Sequence, residues 1–325
     1  MYSLNLSGKP MNISVTGGAG YIGSLLVKKL VEDGHEVVSI DNLTNGDYGN
    51  LRSLGIHKKA ELLVGDIRDA KFIEDVITGS DAIVHLAAIP GLVKCKERPE
   101  EATSTNVYGT YRVLEAARKL DIGKVVFCSS AAVYGTPVEM PVTERHSLRP
   151  MNLYGVTKLA GEKLMEIYHE NYEIETMSLR FGNVFGVGLF TNFDTVIPKF
   201  VRMGLNEDDL TVYGDGTSSR DFVHVEDIAQ AVVLSLRSSD KGGEVFNVGG
   251  ETMEIGALAE LVAESVRSAT GRRIGITHLP PRPGEAKEFS YDLEKIKELL
   301  GYRSRWSIEH GVAQILEYTR THLNP

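Results

Sequence analysis

The sequence predicts an α/β protein: a Rossmann-type, doubly wound parallel sheet with a smaller, interleaved C-terminal α/β substrate lobe. Three observations carry this. Short β-branched runs alternate with helical patterns as far as Arg180. The runs are nearly all apolar, as strands covered on both faces are. The first of them leads directly into a glycine-rich turn that opens a helix.

Ile13–Thr16 is the first strand, and Tyr21–Glu32 has the apolar spacing of a helix closed by Gly34. Glu36–Ile40 follows as a strand, and the Asn-, Asp- and Gly-rich stretch Asn42–Asn50 as a polar loop. Strands at Glu61–Val64, Asp81–Leu86 and Lys124–Cys128 continue the series, with helices around Ala70–Ile77 and Glu100–Leu120. The Tyr154–Asn171 helix and the Glu175–Leu179 strand complete it. Beyond Arg180 the loops lengthen through Gly182–Phe193 and Gly214–Phe222. A helix, Glu226–Leu236, and a strand, Glu244–Val248, return to the sheet. The remainder is helical around one short strand, with a Pro-rich loop at Leu279–Gly284. Residues 1–181 with about 223–249 form the dinucleotide domain, and 182–222 with 250–325 the substrate lobe.

The 325 residues, 42% hydrophobic, suffice for a large core in one big or two intimate domains. Thirty-five basic against 44 acidic residues give a formal charge of −9, which argues against a general polyanion binder. No nucleic-acid partner is expected. Cys95 and Cys128 are too few for a disulfide framework and lack metal-ligand spacing; they read as reduced thiols, and no metal is expected. No apolar run approaches the ~20 residues that span a membrane, and Met1–Asn12 lacks a signal peptide's apolar run, so a soluble cytoplasmic protein is expected.

Gly17-Gly18-Ala19-Gly20-Tyr21-Ile22-Gly23 follows a strand and opens a helix, with glycines at 17, 20 and 23. Such a turn brings backbone N–H groups up to a pyrophosphate at the positive end of the helix. Asp41 ends the second strand, 18 residues after Gly23. A carboxylate there accepts from both ribose hydroxyls of NAD and repels the extra phosphate of NADP. Asp66-Ile67 ends the third strand, where it either holds the adenine or forms a turn or helix cap.

Tyr154 and Lys158 stand four residues apart and share a helix face. A nearby ammonium favours the phenolate, which makes the tyrosine a candidate base. Ser130 ends the Lys124–Cys128 run, at the carboxyl end of a strand where ligands of open sheets collect. Alone, each has a bland reading as a core or capping residue.

Together with His85-Leu86-Ala87-Ala88, Asn106-Val107-Tyr108-Gly109-Thr110, Ser129-Ser130-Ala131-Ala132-Val133-Tyr134-Gly135, Arg220-Asp221-Phe222-Val223-His224-Val225 and Arg282-Pro283-Gly284-Glu285, this set resembles the extended short-chain dehydrogenase/reductase superfamily. The likeness runs from about Asn12 to the C-terminus and is strongest to UDP-glucose 4-epimerases. The resemblance implies catalysis by Tyr154, Lys158 and Ser130. It implies NAD contacts from Gly17, Gly20, Tyr21, Ile22, Gly23, Asp41, Asn42, Asp66, Ile67, Leu86, Ala87, Ala88, Asn106, Ser129, Tyr154 and Lys158. It also implies a nucleotide-sugar substrate met by Ser130, Tyr154, Asn183, Val212, Tyr213, Arg220, Arg282 and Glu285.

Ala131 and Ala132 discriminate within the superfamily. The 4,6-dehydratases carry an Asp-Glu pair there, and UDP-glucuronate decarboxylases a glutamate at the second position. Alanine transfers no proton, so reversible alcohol oxidation, as in a 4-epimerase, is the chemistry left. Three departures from the epimerase pattern stand out. Gly182 replaces a frequent aromatic. Phe289 falls near where relatives gate the sugar pocket. Lys94, Lys96 and Arg98 follow Pro90 where relatives have a Ser-Val-type segment, either as a solvated loop or as a site for an acidic sugar. A homodimer is expected through the Glu100–Leu120 and Tyr154–Asn171 helices.

Overall fold

The computed structural model describes residues 9–53, 55–56, 58–188, 195–281 and 287–322, the side chains of Asn50 and Ser53 excepted. Its strands, in chain order, are β1 (Asn12–Thr16), β2 (Glu36–Asp41), β3 (Ala60–Val64), β4 (Ala82–His85), β5 (Lys124–Ser130), β6 (Glu175–Phe181), β7 (Asn183–Phe185), β8 (Leu210–Tyr213), β9 (Ser219–His224), β10 (Glu244–Val248), β11 (Glu251–Glu254) and β12 (Ile276–Leu279). The chain forms two compact units. One takes the chain through Val133 with Pro150–Arg180 and Ala229–Phe246; the other takes Tyr134–Arg149, Phe181–Ile228 and the chain from Asn247.

The first unit is built on a seven-stranded sheet of order β10-β6-β5-β4-β1-β2-β3. β1 pairs in parallel with β2, Ile13 opposite Val37, and with β4, Ile13 opposite Ala82. Chain order reverses between β1 and β4, the switch point at which such sheets bind ligands. Ile40, Ile73, Ile83, Val113, Leu114, Val125, Phe127 and Met165 pack one core beneath helices Ala70–Ile77, Thr110–Lys119 and Leu153–Tyr172. Each such aliphatic side chain, fully buried, contributes about 1.5–3 kcal/mol.

In the second unit β9 runs antiparallel to β11 and parallel to β7, and β8 pairs in parallel with β12. Phe185, Phe200, Leu210, Val212, Phe222, Leu258, Val262, Ile308 and Ile315 fill its core. Beyond residue 250 the described residues form two short strands, β11 and β12, where the sequence reading expected one.

Three further differences have physical causes. The expected polar loop holds a short helix, Tyr48–Ser53, whose Tyr48 hydroxyl donates to the Leu63 carbonyl at 2.6 Å. The expected Glu100–Leu120 helix is interrupted: Pro99–Thr103 and Thr110–Lys119 are α-helical, but Ser104–Gly109 is a π turn. Thr110 Oγ1 donates to the Asn106 carbonyl at 2.7 Å within it, and a Cβ on Gly109 would lie 2.5 Å from Ile67. Tyr134–Arg149, read with the dinucleotide domain, groups with the second unit. There the Tyr134 hydroxyl donates to Asn247 Oδ1 at 2.6 Å, and Val142 bonds Ser290 and Asp292 through its backbone.

Candidate active site

The glycine turn after β1 has a shape that only glycine permits at two points. Gly17 has φ +74°, and a Cβ there would lie 2.7 Å from the Ala87 nitrogen. A Cβ on Gly23 would lie 2.1 Å from the Gly17 carbonyl oxygen. The turn therefore lies against Leu86-Ala87 at the end of β4 and against the helix it opens. That helix, Tyr21–Glu32, starts at Gly20, which has no side chain to cap it, as an anion-receiving terminus needs.

Asp41, at the end of β2, braces the turn. Its Oδ2 accepts from the Ala19 amide at 3.1 Å and its Oδ1 from the Leu43 amide at 2.8 Å. Burial pushes its pKa up, and these two amides oppose the shift. Asn42 donates from Nδ2 to Asp66 at 3.2 Å. Asp66 also accepts two bonds from the Arg68 guanidinium, which hold its pKa down at about 2, and Ile67 is buried. The Gly17, Gly23 and Asp41 geometry suits a dinucleotide with a free ribose hydroxyl pair, and the turn, Asn42 and Asp66 lie within one unit.

Two expected cofactor contacts look inward instead. Asn106 is 2% exposed; its Nδ2 donates to the Ile89 carbonyl at 3.1 Å and to Thr157 Oγ1 at 3.0 Å, while Oδ1 accepts from the Ile89 amide at 2.7 Å. Both of its donors serve the protein, which makes it a brace between the segment after β4 and the Leu153–Tyr172 helix. Ser129 donates its hydroxyl to Glu162 at 2.5 Å, so only its backbone is left to face a ligand.

The proposed catalytic side chains do meet. Asn152 caps the Leu153–Tyr172 helix by accepting from the Gly155 amide at 2.9 Å. Tyr154 follows in the first turn, packed against Ile89, Cys95 and Ala102. Ser130 lies close enough to lower the pKa of the Tyr154 phenol, and the Ser130 Oγ accepts from the Ala132 amide at 3.2 Å. Lys158 is 4% exposed; its Nζ donates to the Cys128 carbonyl at 2.7 Å and lies 5.8 Å from the centre of the Tyr154 ring. Ala131–Val133 forms a tight turn against this helix, because a Cβ on Gly155 would come 2.4 Å from the Ala132 carbonyl oxygen.

The electrostatics differ from the simple expectation that Lys158 depresses Tyr154. Burial raises the Tyr154 pKa, with Ser130 opposing. Burial also lowers Lys158 to about 8, opposed by Cys128, Cys95 and Glu162. Desolvation dominates both shifts. Both cysteines are free and buried, with burial pushing Cys128 to about 12. His85, the last residue of β4, sits between Thr16 and Thr110 at 2.7 and 2.9 Å and is held near 3 by burial, so it is neutral.

The expected substrate residues lie in the second unit. Asn183 is exposed and donates to the Asp221 carbonyl at 3.1 Å. Arg220 is half-buried beside it on β9, with Nη1 donating to the Ser219 carbonyl at 2.7 Å. Tyr213 is half-buried, but Val212 is fully buried in the core, so its side chain meets no substrate. Arg282 and Glu285 lie outside the described residues. A Cβ on Gly182 would lie 2.8 Å from the buried Asp221 carboxylate, so the chain as packed leaves no room for a side chain there. Phe289 packs against Tyr134 and Tyr291 rather than open to solvent. Lys94 lies on a short helix, Leu92–Glu97, and donates to Asn45 at 2.9 Å.

Asn152, Thr157 and Glu162 were missed by sequence reasoning. Asn152 before an apolar helix was readable as a cap. Among the described residues no group of three or more His, Cys, Asp or Glu could hold a metal, and no helix is long and apolar enough to cross a membrane.

A model of the NAD-dependent epimerase/dehydratase family matches residues 13–249. The UDP-glucose 4-epimerase of Lacticaseibacillus casei is 34% identical over 314 residues, 91% of this chain and 92% of that protein. The crystal structure of the Thermotoga maritima UDP-glucose 4-epimerase with UDP-glucose superposes with a TM-score of 0.88 at 31% identity, covering 97% of this chain and 100% of that one. The Bacillus cereus UDP-glucuronic acid 4-epimerase, solved with UDP-glucuronic acid and NAD, gives 0.85 at 30% identity, covering 96% and 99%.

Proposed function

The chain belongs to the NAD-dependent epimerase/dehydratase family, and on that premise we propose that it is a nucleotide-sugar 4-epimerase acting on UDP-glucose and UDP-galactose. One observation carries the reading: the Ser130–Tyr154–Lys158 set is assembled beside a turn that holds only alanines at 131 and 132. The set can move one proton, and that turn offers no second acid or base for elimination.

NAD, when bound, supplies reversible acceptance of the hydride from sugar carbon 4. Gly17, Gly20, Gly23 and Asp41 would hold its pyrophosphate and ribose. Tyr154 accepts the 4-hydroxyl proton and later returns it. Ser130, which already lowers the pKa of the phenol, hydrogen-bonds the reacting oxygen. Lys158 keeps positive charge beside the phenolate. The sugar passes through a 4-keto form that turns over before its second face is reduced.

A second reading is a UDP-glucuronate epimerase. Lys94, Lys96 and Arg98, clustered on and after one short helix, favour it by offering cations to a carboxylate. Incubation with UDP-glucose, UDP-galactose, their N-acetyl forms and UDP-glucuronate, followed by NMR of the product epimers, decides between them. Turnover of UDP-glucuronate alone would overturn the first reading. Net release of oxidised cofactor would point instead to a reductase.

We also propose a homodimer through the segments 100–120 and 153–172. Tyr108, Tyr111, Val156, Ile167 and Tyr172 leave apolar surface exposed there. A monomer by light scattering at micromolar concentration would overturn this.

A further inference from the structure

Tyr154, Lys158 and Glu162 stand at successive i, i+4 positions on one face of the Leu153–Tyr172 helix. The first two belong to the proposed chemistry. Glu162 is buried and has no part in it so far.

Its carboxylate is gripped from two strands. Arg180, in β6, donates from Nε to Oε1 at 2.9 Å and from Nη2 to Oε2 at 2.7 Å. Ser129, in β5, donates to Oε1 at 2.5 Å. Both side chains of the ion pair are 3% exposed. A buried bidentate pair is strongly directional, yet it adds little net stability, because an apolar pair of similar volume avoids the cost of desolvation. Its location explains it better. Lys158, one turn before Glu162, bonds the Cys128 carbonyl, and Glu162 bonds the Ser129 hydroxyl. The helix thus holds two consecutive residues of β5, and the next residue is Ser130.

We propose that Glu162, clamped by Arg180 and Ser129, is a positioning residue that fixes the register between the helix carrying Tyr154 and Lys158 and the strand carrying Ser130. The proposal rests on the functional reading above, in which those three side chains handle one proton. A displacement of about 1 Å at such a centre can cost ~100-fold in rate. The Glu162 charge also opposes the effect of burial on Lys158.

Two variants test it. Glu162→Gln keeps the shape but weakens the bonds from Arg180; Ser129→Ala removes one hydroxyl and no charge. Rates are taken per folded, NAD-loaded site. Single-turnover reduction of bound NAD by UDP-glucose is expected to slow about 10- to 100-fold in Glu162→Gln and roughly threefold or more in Ser129→Ala, with KM changed less than about twofold. A sugar-free measurement accompanies it: the pH at which Tyr154 ionises, from tyrosinate absorbance relative to the matching Tyr154→Phe protein. It is expected to move in both variants. Wild-type rates with an unmoved Tyr154 ionisation would overturn the proposal, as would a rate loss that only tracks the unfolded fraction. If Glu162→Gln does not fold, Ser129→Ala decides alone. If the wild type reduces NAD with no nucleotide sugar, the functional reading fails, and the Tyr154 titration still decides the role of Glu162.

Discussion

The Lys158 ammonium donates to the Cys128 carbonyl oxygen at 2.7 Å, so the charge beside Tyr154 is tied to the backbone of the strand that carries Ser130. Burial pulls the Lys158 pKa from 10.5 to about 8. Turnover that needs the protonated lysine is therefore expected to fall as pH rises through about 8. The stability linkage has the opposite sign. The folded value lies below the unfolded one, so between about 8 and 10.5 the unfolded chain binds more protons and this group's contribution to stability rises. Thermal melting of the wild type relative to Lys158→Met should improve across that window while kcat declines. A wild-type advantage that shrinks with pH would refute the assignment.

Tyr154→Phe removes one oxygen from a side chain whose ring packing against Ile89, Cys95 and Ala102 is kept. Turnover should drop at least ~10²-fold, the usual contribution of a positioned acid–base group. NAD should stay bound, by absorbance of the purified protein. Near-normal turnover would remove Tyr154 from the mechanism.

Gly23→Ala places a methyl 2.1 Å from the Gly17 carbonyl oxygen, a backbone atom that cannot swing aside. The turn must open, at a cost of roughly 1–3 kcal/mol. NAD affinity by calorimetry should weaken more than about tenfold. Unchanged affinity would mean that the turn is not the pyrophosphate site.

Asp41→Asn leaves only one oxygen for the Ala19 and Leu43 amides, which the carboxylate now serves with two. An amide left facing an NH2 costs about 1–3 kcal/mol. NAD binding should weaken, and the NADP to NAD affinity ratio should rise because the repelling charge is gone. A ratio that stays constant would argue against the ribose contact.

The parts of this protein written in local pattern were legible. The glycine turn, Asp41, Ser130 and the Tyr154–Lys158 pair each follow from a strand end or one helix turn. Alternation along a strand also separates Ser129 from Ser130, since neighbours face opposite sides. The same rule turns Val212 into the core and leaves Tyr213 half-open. Glu162 was not legible, because a helical glutamate is usually solvated and its partner Arg180 comes from another strand. The break in the 100–120 helix was hidden for a similar reason. It depends on what Asn106 and Gly109 touch, and propensity does not record that.

The π turn at Ser104–Gly109 bears on how this chain can be edited. Such a turn accommodates one residue more than an α-helix would. Deleting Val107 would let the helix wind on smoothly with the turns on either side nearly in phase, because the extra residue is what the π turn absorbs. What would go is the widened turn itself, where Thr110 Oγ1 donates to the Asn106 carbonyl at 2.7 Å. In a comparison of sequences the change would show as a single gap, with every catalytic letter intact. The letters would keep their phase, and only the widened turn between them would be lost.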